Sequence, residues 1–482
     1  MSNPNTASDM PHIQTTISPI DQKPVLTRPL QTEEQLDHVI AESVKAYKSW
    51  RKVPLDDRLK IAEQWMTEFE KLKDVLAEEI TLQMGRPISQ TPGEITGTIG
   101  RAKHLISIAK ESLAEIPQTE TDTDALKRVI RREPLGVVAI VAPWNFPYLT
   151  MINSVLPAII AGNTVIIKPS PQTPTPAERL AATFSVAGLP TNVCQVVHLS
   201  PEGTSRLAAD PRIGFLSFTG SVQGGKSLAK AAVDCEAFKG VGLELGGKDP
   251  AYVRPEVDAK WAAAELVDGA MFNSGQSCCG IERIYVHASI YDTFVEEFAS
   301  VAKQYKLGDP REKTTNLGPV VSVASAARIK KQVKDAVAAG AKELVGQEGF
   351  DAEKEGNAFV GPKVLVDVTH EMDVMMEETF GPVVGIMKVE SDEEALQLMN
   401  DSPYGLTASI WTDIAAPGAA EAFEMFAQEL ETGTVFLNRC DFLDPALAWT
   451  GVKNSGRGVS LSKFGYDQLT RPKSIHMKVK TV

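Results

Sequence analysis

Gly136-Val137-Val138-Ala139-Ile140-Val141 is an apolar run opened by glycine, and it reads as a strand buried on both faces. Pro143-Trp144-Asn145-Phe146-Pro147 follows, then a helical stretch of small and apolar residues reaching Ala161, then a second strand pattern at 164–167. Further strand patterns at 193–198, 213–218 and 241–245 alternate with helical ones. Alternation of this kind builds a parallel sheet with crossover helices. The expected fold is therefore α/β and doubly wound, with its ligand beyond the carboxyl ends of these strands.

Upstream, apolar residues recur at helical spacing over 33–47, 56–84 and 95–115, a helical packing layer. Asp56 and Asp57 suit the positive start of the second helix, and Gly85 and Pro87 stop it. Residues up to about 29 read as an extended or loosely ordered arm. Past Lys248 the pattern restarts, with helices at 259–271, 291–305, 326–338 and 393–399 and strands at 283–286 and 364–366. This is a second α/β domain with its own core. The tail, 474–479, alternates as an edge strand does.

The 482 residues suit two or three domains, and 43% hydrophobic with 23% charged residues is ordinary for a globular protein. A net charge of −13 argues against non-specific nucleic-acid binding, which needs a basic face. Cys194, Cys235, Cys278, Cys279 and Cys440 are odd in number and irregularly spaced. They suggest neither a disulfide framework nor a metal site. With no signal-peptide pattern and no apolar run of ~18 residues, the expectation is a cytoplasmic protein without a membrane partner.

Two stretches carry candidate chemistry. Gly275-Gln276-Ser277-Cys278-Cys279 places a thiol among small residues, and Glu244-Leu245-Gly246-Gly247-Lys248 opens a Gly-Gly turn with a carboxylate. A cysteine nucleophile makes a thioester, which an activated water must then resolve. Each also has a bland reading: Cys as a small buried hydrophobe, Glu as a surface carboxylate at a strand end. Taken with Glu377-Glu378-Thr379-Phe380-Gly381-Pro382, these stretches resemble the aldehyde dehydrogenase superfamily. The likeness runs from about residue 32 to 478 and includes Asn400, Tyr404-Gly405-Leu406, Asn438 and Lys453-Asn454-Ser455-Gly456-Arg457-Gly458.

The resemblance implies a Rossmann-type cofactor domain, a second α/β catalytic domain and a small oligomerisation sheet. Its boundaries would be 1–115 and 135–246 for the cofactor domain, 116–134 for a bridging hairpin, 247–455 for the catalytic domain and 456–482 for a C-terminal oligomerisation segment. The tail strand would pair with a neighbouring subunit, in a homodimer or homotetramer. Cys278, first of the pair, would attack the aldehyde; Asn145 would donate to the oxyanion beside the Cys278 N–H; Glu244 would activate water. Its presence favours release of a free acid over acyl transfer. Lys168 would hold the adenosine ribose, Trp144 line the adenosine side, and Ser221 meet the pyrophosphate within the turn Thr219-Gly220-Ser221 closed by Gly225. Thr219 would sit near the nicotinamide, Glu378 on its ribose and Phe380 beside it. A non-catalytic protein on the same fold is the alternative.

Two departures bear on ligands. Pro171 stands where the family usually has a ribose-binding Glu, which leaves room for NADP beside an expected NAD. Phe272 and Asn153 stand where succinic semialdehyde members can carry arginines, which disfavours a short dicarboxylic semialdehyde unless Arg439 substitutes. Asp441 and Asp444 read as solvated loop residues.

Overall fold

The computed structural model describes residues 12–119 and 122–480; expectations touching 1–11, 120–121 and 481–482 lie outside the described residues. Its first sheet runs, in spatial order, Gly456–Arg457, Gly240–Glu244, Ile213–Thr219, Val137–Val141, Thr164–Lys168 and Cys194–Val196. All neighbours are parallel except the outermost Gly456–Arg457. Val137–Val141 is buried at every position, as an interior parallel strand must be. From it the chain steps outward to Cys194–Val196, then crosses back to Ile213–Thr219 on the other side. The strand order thus reverses beside Val137–Val141, and a crevice opens at the carboxyl ends there.

The helical layer packs on the crossover helices of this sheet through Trp65, which stacks on Phe184 of helix Thr175–Val186 at 4.8 Å, and Phe69, which meets the edge of Tyr148 of helix Pro147–Ala161 at 5.2 Å. The expected helix at 56–84 is two helices, Leu55–Glu70 and Lys73–Met84. No glycine or proline marks the break, so periodicity alone ran straight through it. The expected loose arm contains a hairpin, Ile13–Ile17 paired with Pro24–Pro29, whose β-branched residues favour strand. It clasps the loop after Thr164–Lys168: Thr16 Oγ1 donates to the Pro171 carbonyl at 2.8 Å, and Gln172 Nε2 to the Ile17 carbonyl at 2.9 Å.

The second sheet runs Lys342–Val345, Lys363–Val366, Val383–Val389, Ile281–His287, Asp249–Val253, Thr407–Trp411 and Thr434–Leu437, with only the first strand antiparallel. Five of these escaped sequence reading. Asp249-Pro250 and Gly381-Pro382 look like turns, and Thr407-Ala408-Ser409 are small residues, although all lie in or beside buried strands. Glu244 ends a strand of the first sheet and Asp249 begins one of the second, so 245–248 are the whole joint. The carboxyl edge of one sheet therefore faces the amino edge of the other.

A third, small sheet joins Ile116–Pro117, Leu126–Pro134 and Thr470–Lys478. The tail strand pairs along one edge with Leu126–Pro134 of its own chain, from Thr470 opposite Pro134 to Lys478 opposite Leu126, and is itself the outer strand of this sheet. The expected segment at 456–482 is also divided. Gly456–Arg457 joins the first sheet, and helix Ser462–Gln468 packs into the helical layer, with the buried Tyr466 hydroxyl donating to the Leu105 carbonyl at 2.8 Å. Apolar side chains within that stretch draw it into the core and leave only Thr470–Lys478 for the small sheet.

Candidate active site

The thiol stretch is a strained loop held by a polar net. Asn273, Ser274 and Gly275 have φ of 52°, 56° and 69°, three successive left-handed residues. Such backbone costs roughly 1–2 kcal/mol for each non-glycine residue. Asn273 offsets this by accepting from Arg86 Nε at 3.0 Å and donating to the Gln276 carbonyl at 3.1 Å. Ser274 Oγ donates to the Gly318 carbonyl at 2.9 Å, and Gln276 Oε1 accepts the Val321 N–H at 2.7 Å. The following cysteines differ sharply. Cys278 is partly exposed and lines a cavity of about 1260 Å³, whereas Cys279 is buried. The Cys279 thiol donates to Asp441 Oδ1 at 3.0 Å. The hydrogen bond with Cys278, burial and the Asp441 carboxylate push that thiol well above the ordinary range.

The Gly-Gly pair has a steric reason. A Cβ on Gly246 would overlap the Glu378 carboxylate, and one on Gly247 would overlap the Cys278 carbonyl oxygen. The Gly247 N–H donates to Glu378 Oε1 at 3.0 Å, so the turn brings Glu378 and the Cys278 backbone together. Burial, with Glu282 nearby, pushes Glu378 up to about 7. Its segment hangs from a buried ion pair. Lys248 Nζ lies 2.5 Å from Glu282, which also accepts the N–H groups of Thr379 and Phe380, each at 2.8 Å. Glu244 accepts from Ser460 Oγ at 2.6 Å and Thr219 Oγ1 at 3.4 Å. Burial raises its carboxyl above the ordinary value despite those bonds and the Arg101 charge.

Asn145 is 5% exposed, and its Nδ2 donates to the Gln276 carbonyl at 3.2 Å, just ahead of the cysteine pair. The flanking prolines do not aim it alone. Arg86 donates to the Asn145 carbonyl, lies 4.2 Å over the Phe146 ring and pairs with Glu94 at 2.5 Å. Glu94 Oε1 in turn accepts the N–H groups of Tyr148 at 2.8 Å and Leu149 at 3.3 Å, at the start of helix Pro147–Ala161. Both charged side chains are 1% exposed, and breaking a buried pair by removing one partner costs about 3–5 kcal/mol. Glu94→Ala therefore lowers the thermal unfolding midpoint measurably and loosens the Asn145 loop.

Trp144, Lys168, Thr219, Gly220, Ser221, Glu378 and Phe380 line the same cavity as Cys278, Glu244 and Asn145. Ser221 Oγ caps helix Val222–Val233 by accepting the Gly224 N–H at 3.1 Å, which turns a helix N-terminus toward the cavity. Gly225 is not brought to it. A Cβ there would lie 2.6 Å from Leu245, so this glycine serves helix-to-strand packing. Trp144 and Phe380 meet edge to face at 5.4 Å rather than lining separate ends. Burial pushes the Lys168 ammonium down to about 8, with no acidic group acting on it among the described residues.

Asp444 is exposed as expected, but Asp441 corrects its reading. Its carboxylate accepts from Ser277 Oγ at 2.7 Å as well as from Cys279, and burial pushes it up to about 6. Partners far away in sequence half-bury Asp441 in a loop whose composition suggests solvent. Phe272 stacks on Phe146 at 6.4 Å, and Arg439 is exposed over the Phe442 ring at 3.4 Å. Arg86, Glu94, Asn273, Lys248 and Glu282 were not anticipated. A charged residue between Gly85 and Pro87 looks like a surface turn, and neither ion pair has a motif of its own.

The family model described as "Aldehyde dehydrogenase family" matches residues 6–475. A succinate-semialdehyde dehydrogenase [NADP(+)] of Mycobacterium avium is 32% identical over 461 residues, covering 95% of this chain and 96% of that protein. The crystal structure of succinic semialdehyde dehydrogenase from Streptococcus pyogenes with NADP+ superposes with a TM-score of 0.90 at 30% identity, covering 96% of this chain and 100% of that one. An aldehyde dehydrogenase of Physcomitrella patens in complex with the reaction product succinate has a TM-score of 0.90 at 28% identity, with 99% and 97% covered.

Proposed function

From a chain that belongs to the aldehyde dehydrogenase family, and so oxidises an aldehyde to its carboxylic acid with NAD(P), we propose that Cys278 makes the attack and Glu244 drives the release. The Cys278 sulfur adds to the carbonyl carbon, and the carbonyl electron pair moves onto oxygen. Asn145 Nδ2 and the Cys278 N–H meet that oxyanion. A nicotinamide held in this cavity would supply the acceptor for the hydride that leaves the former carbonyl carbon as its C=O bond re-forms in a thioester. Glu244 then takes a proton from water as its oxygen attacks; the C–S bond breaks and Cys278 leaves as thiolate. Ser460 and Thr219 hold the Glu244 carboxylate meanwhile. The observation carrying this reading is that Cys278, Asn145 and Glu244 line one cavity, with Asn145 tied to the cysteine loop.

Lys168, Ser221, Glu378 and Phe380 would hold the cofactor. NADP is preferred over the NAD expected from sequence. Support comes from Lys168, a half-buried cation without an acidic partner among the described residues, beside Ser170 and Pro171 in the cavity wall, where none of them places a carboxylate to repel a 2′-phosphate. The test is reduced-nicotinamide absorbance with a panel of aldehydes, 4-oxobutanoate among them, with NAD and NADP in parallel. Reduction with NADP at least as fast as with NAD is expected. Silence with both cofactors and every aldehyde would bring forward the non-catalytic alternative. In the same assay Asn145→Ala lowers kcat roughly 100- to 1,000-fold with little change in KM, the cost of one oxyanion donor.

A further inference from the structure

The helix Thr91–Ser112 turns an unusual face to the cavity. Gly93, Gly97, Gly100 and Arg101 all line it. Glycine is a poor helix former, and packing demands it at only one of the three: a Cβ on Gly97 would lie 3.2 Å from Leu149, whereas one on Gly93 or Gly100 would meet nothing within 4 Å. The room these glycines leave belongs to the cavity. Arg101 is 8% exposed and donates to the Leu149 carbonyl at 2.7 Å and to Asn153 Oδ1 at 3.2 Å. Among the described residues no carboxylate forms a salt bridge with it; Glu244 and Glu94 act on its charge only from a distance. Asn153, on helix Pro147–Ala161, is 1% exposed and lines the cavity too, and its Nδ2 has no hydrogen-bond partner. A buried cation without an anion and a buried donor without an acceptor are both costly, and here they adjoin.

We propose that Arg101 and Asn153 form an anion subsite for the acidic tail of the aldehyde substrate, whose carbonyl end meets Cys278; this rests on the dehydrogenase reading above. A guanidinium presents a fork of N–H donors that matches a carboxylate or phosphate, and Asn153 Nδ2 adds another. The guanidinium thus reaches Asn153 from a neighbouring helix, so the absence of arginine at 153 and 272 does not exclude an acidic substrate. Arg439 is exposed and stacked on Phe442, a poor inner anchor. Asp441, a half-buried charge of the cavity, is engaged by Ser277 and Cys279.

The test compares 4-oxobutanoate, a phosphorylated aldehyde and butanal as substrates of the wild type, Arg101→Met, Arg101→Lys and Asn153→Leu. Assayed well above the acidic limb set by Glu244, Arg101→Met raises KM for the acidic substrate by about 10- to 100-fold, the loss of a charge-assisted bond, and leaves butanal within about threefold. Arg101→Lys recovers part of the loss, and Asn153→Leu shows a smaller loss in the same direction should Arg101→Met not fold. Preference between the carboxylated and phosphorylated aldehydes identifies the anion. Equal losses for acidic and neutral aldehydes, or a wild type indifferent to the tail, would overturn the subsite. Succinate-induced thermal stabilisation reads it independently of turnover. Stabilisation of the wild type that is lost in Arg101→Met supports the subsite even if no aldehyde is oxidised, and stabilisation of both or of neither overturns it.

Discussion

Cys278→Ser lowers aldehyde oxidation roughly 10,000-fold or more, while Cys279→Ser keeps it within about tenfold. The adjacent thiols are chemically alike and their surroundings are not. Cys278 lines the cavity with Asn145 and Glu244, and the carbonyl ahead of the pair is pinned by the Asn145 amide. Cys279 is buried, donates to Asp441 and is held in its protonated form. A serine at 279 can still donate to Asp441, so its cost is a small change in packing. A serine at 278 keeps the volume but loses the nucleophile, since among the described residues no histidine lines the cavity to activate a hydroxyl. Steady-state reduction of NADP by the two variants separates them. Comparable losses at both positions would mean that the loop geometry, rather than one sulfur, is being read.

Glu244→Gln slows turnover by roughly 100- to 10,000-fold, the range for losing a positioned general base. The first half-reaction survives, because Glu244 acts on water after the thioester exists. Its pH dependence has a definite sign. Burial favours the protonated form, so its pKa lies above the ordinary carboxylate value of about 4.3. Glu244 works only when ionised. Activity therefore falls as pH drops through that raised pKa, and the acidic limb of kcat lies higher than for a solvated Glu. Glu244→Gln abolishes the limb along with the rate. A limb unchanged in the variant would assign the titration to another group.

What could be read from the chain follows from locality. Val137–Val141 is apolar on both faces, and the strands beside it alternate with helices of ordinary length, so the first sheet and its ligand edge were legible. Asp249–Val253 was not, because Asp249-Pro250 looks like a turn although Asp249 is buried against the Thr407 N–H and hydroxyl, at 3.1 and 2.6 Å. The catalytic candidates were legible through short motifs, and the Gly246-Gly247 requirement acquires its cause only once Glu378 and the Cys278 carbonyl are seen against those backbones. Gly225 shows the converse: the resemblance implied a phosphate turn closed by it, while its neighbour is Leu245. The supports were hidden. Arg86 with Glu94 and Lys248 with Glu282 are buried pairs, and Asp441 with Ser277 a half-buried one, whose meaning depends on tertiary partners, and charge in a sequence looks solvated until those partners arrive.

The central claim is that one thiol is acylated and one carboxylate frees it. Rapid mixing of Glu244→Gln with aldehyde and NADP, followed by intact and peptide mass analysis, tests both halves together. The prediction is a burst of one reduced cofactor per active subunit, then near silence, with the acyl group on the peptide sulfur of Cys278. Linear turnover without a burst, or an acyl group on Cys279, would contradict it.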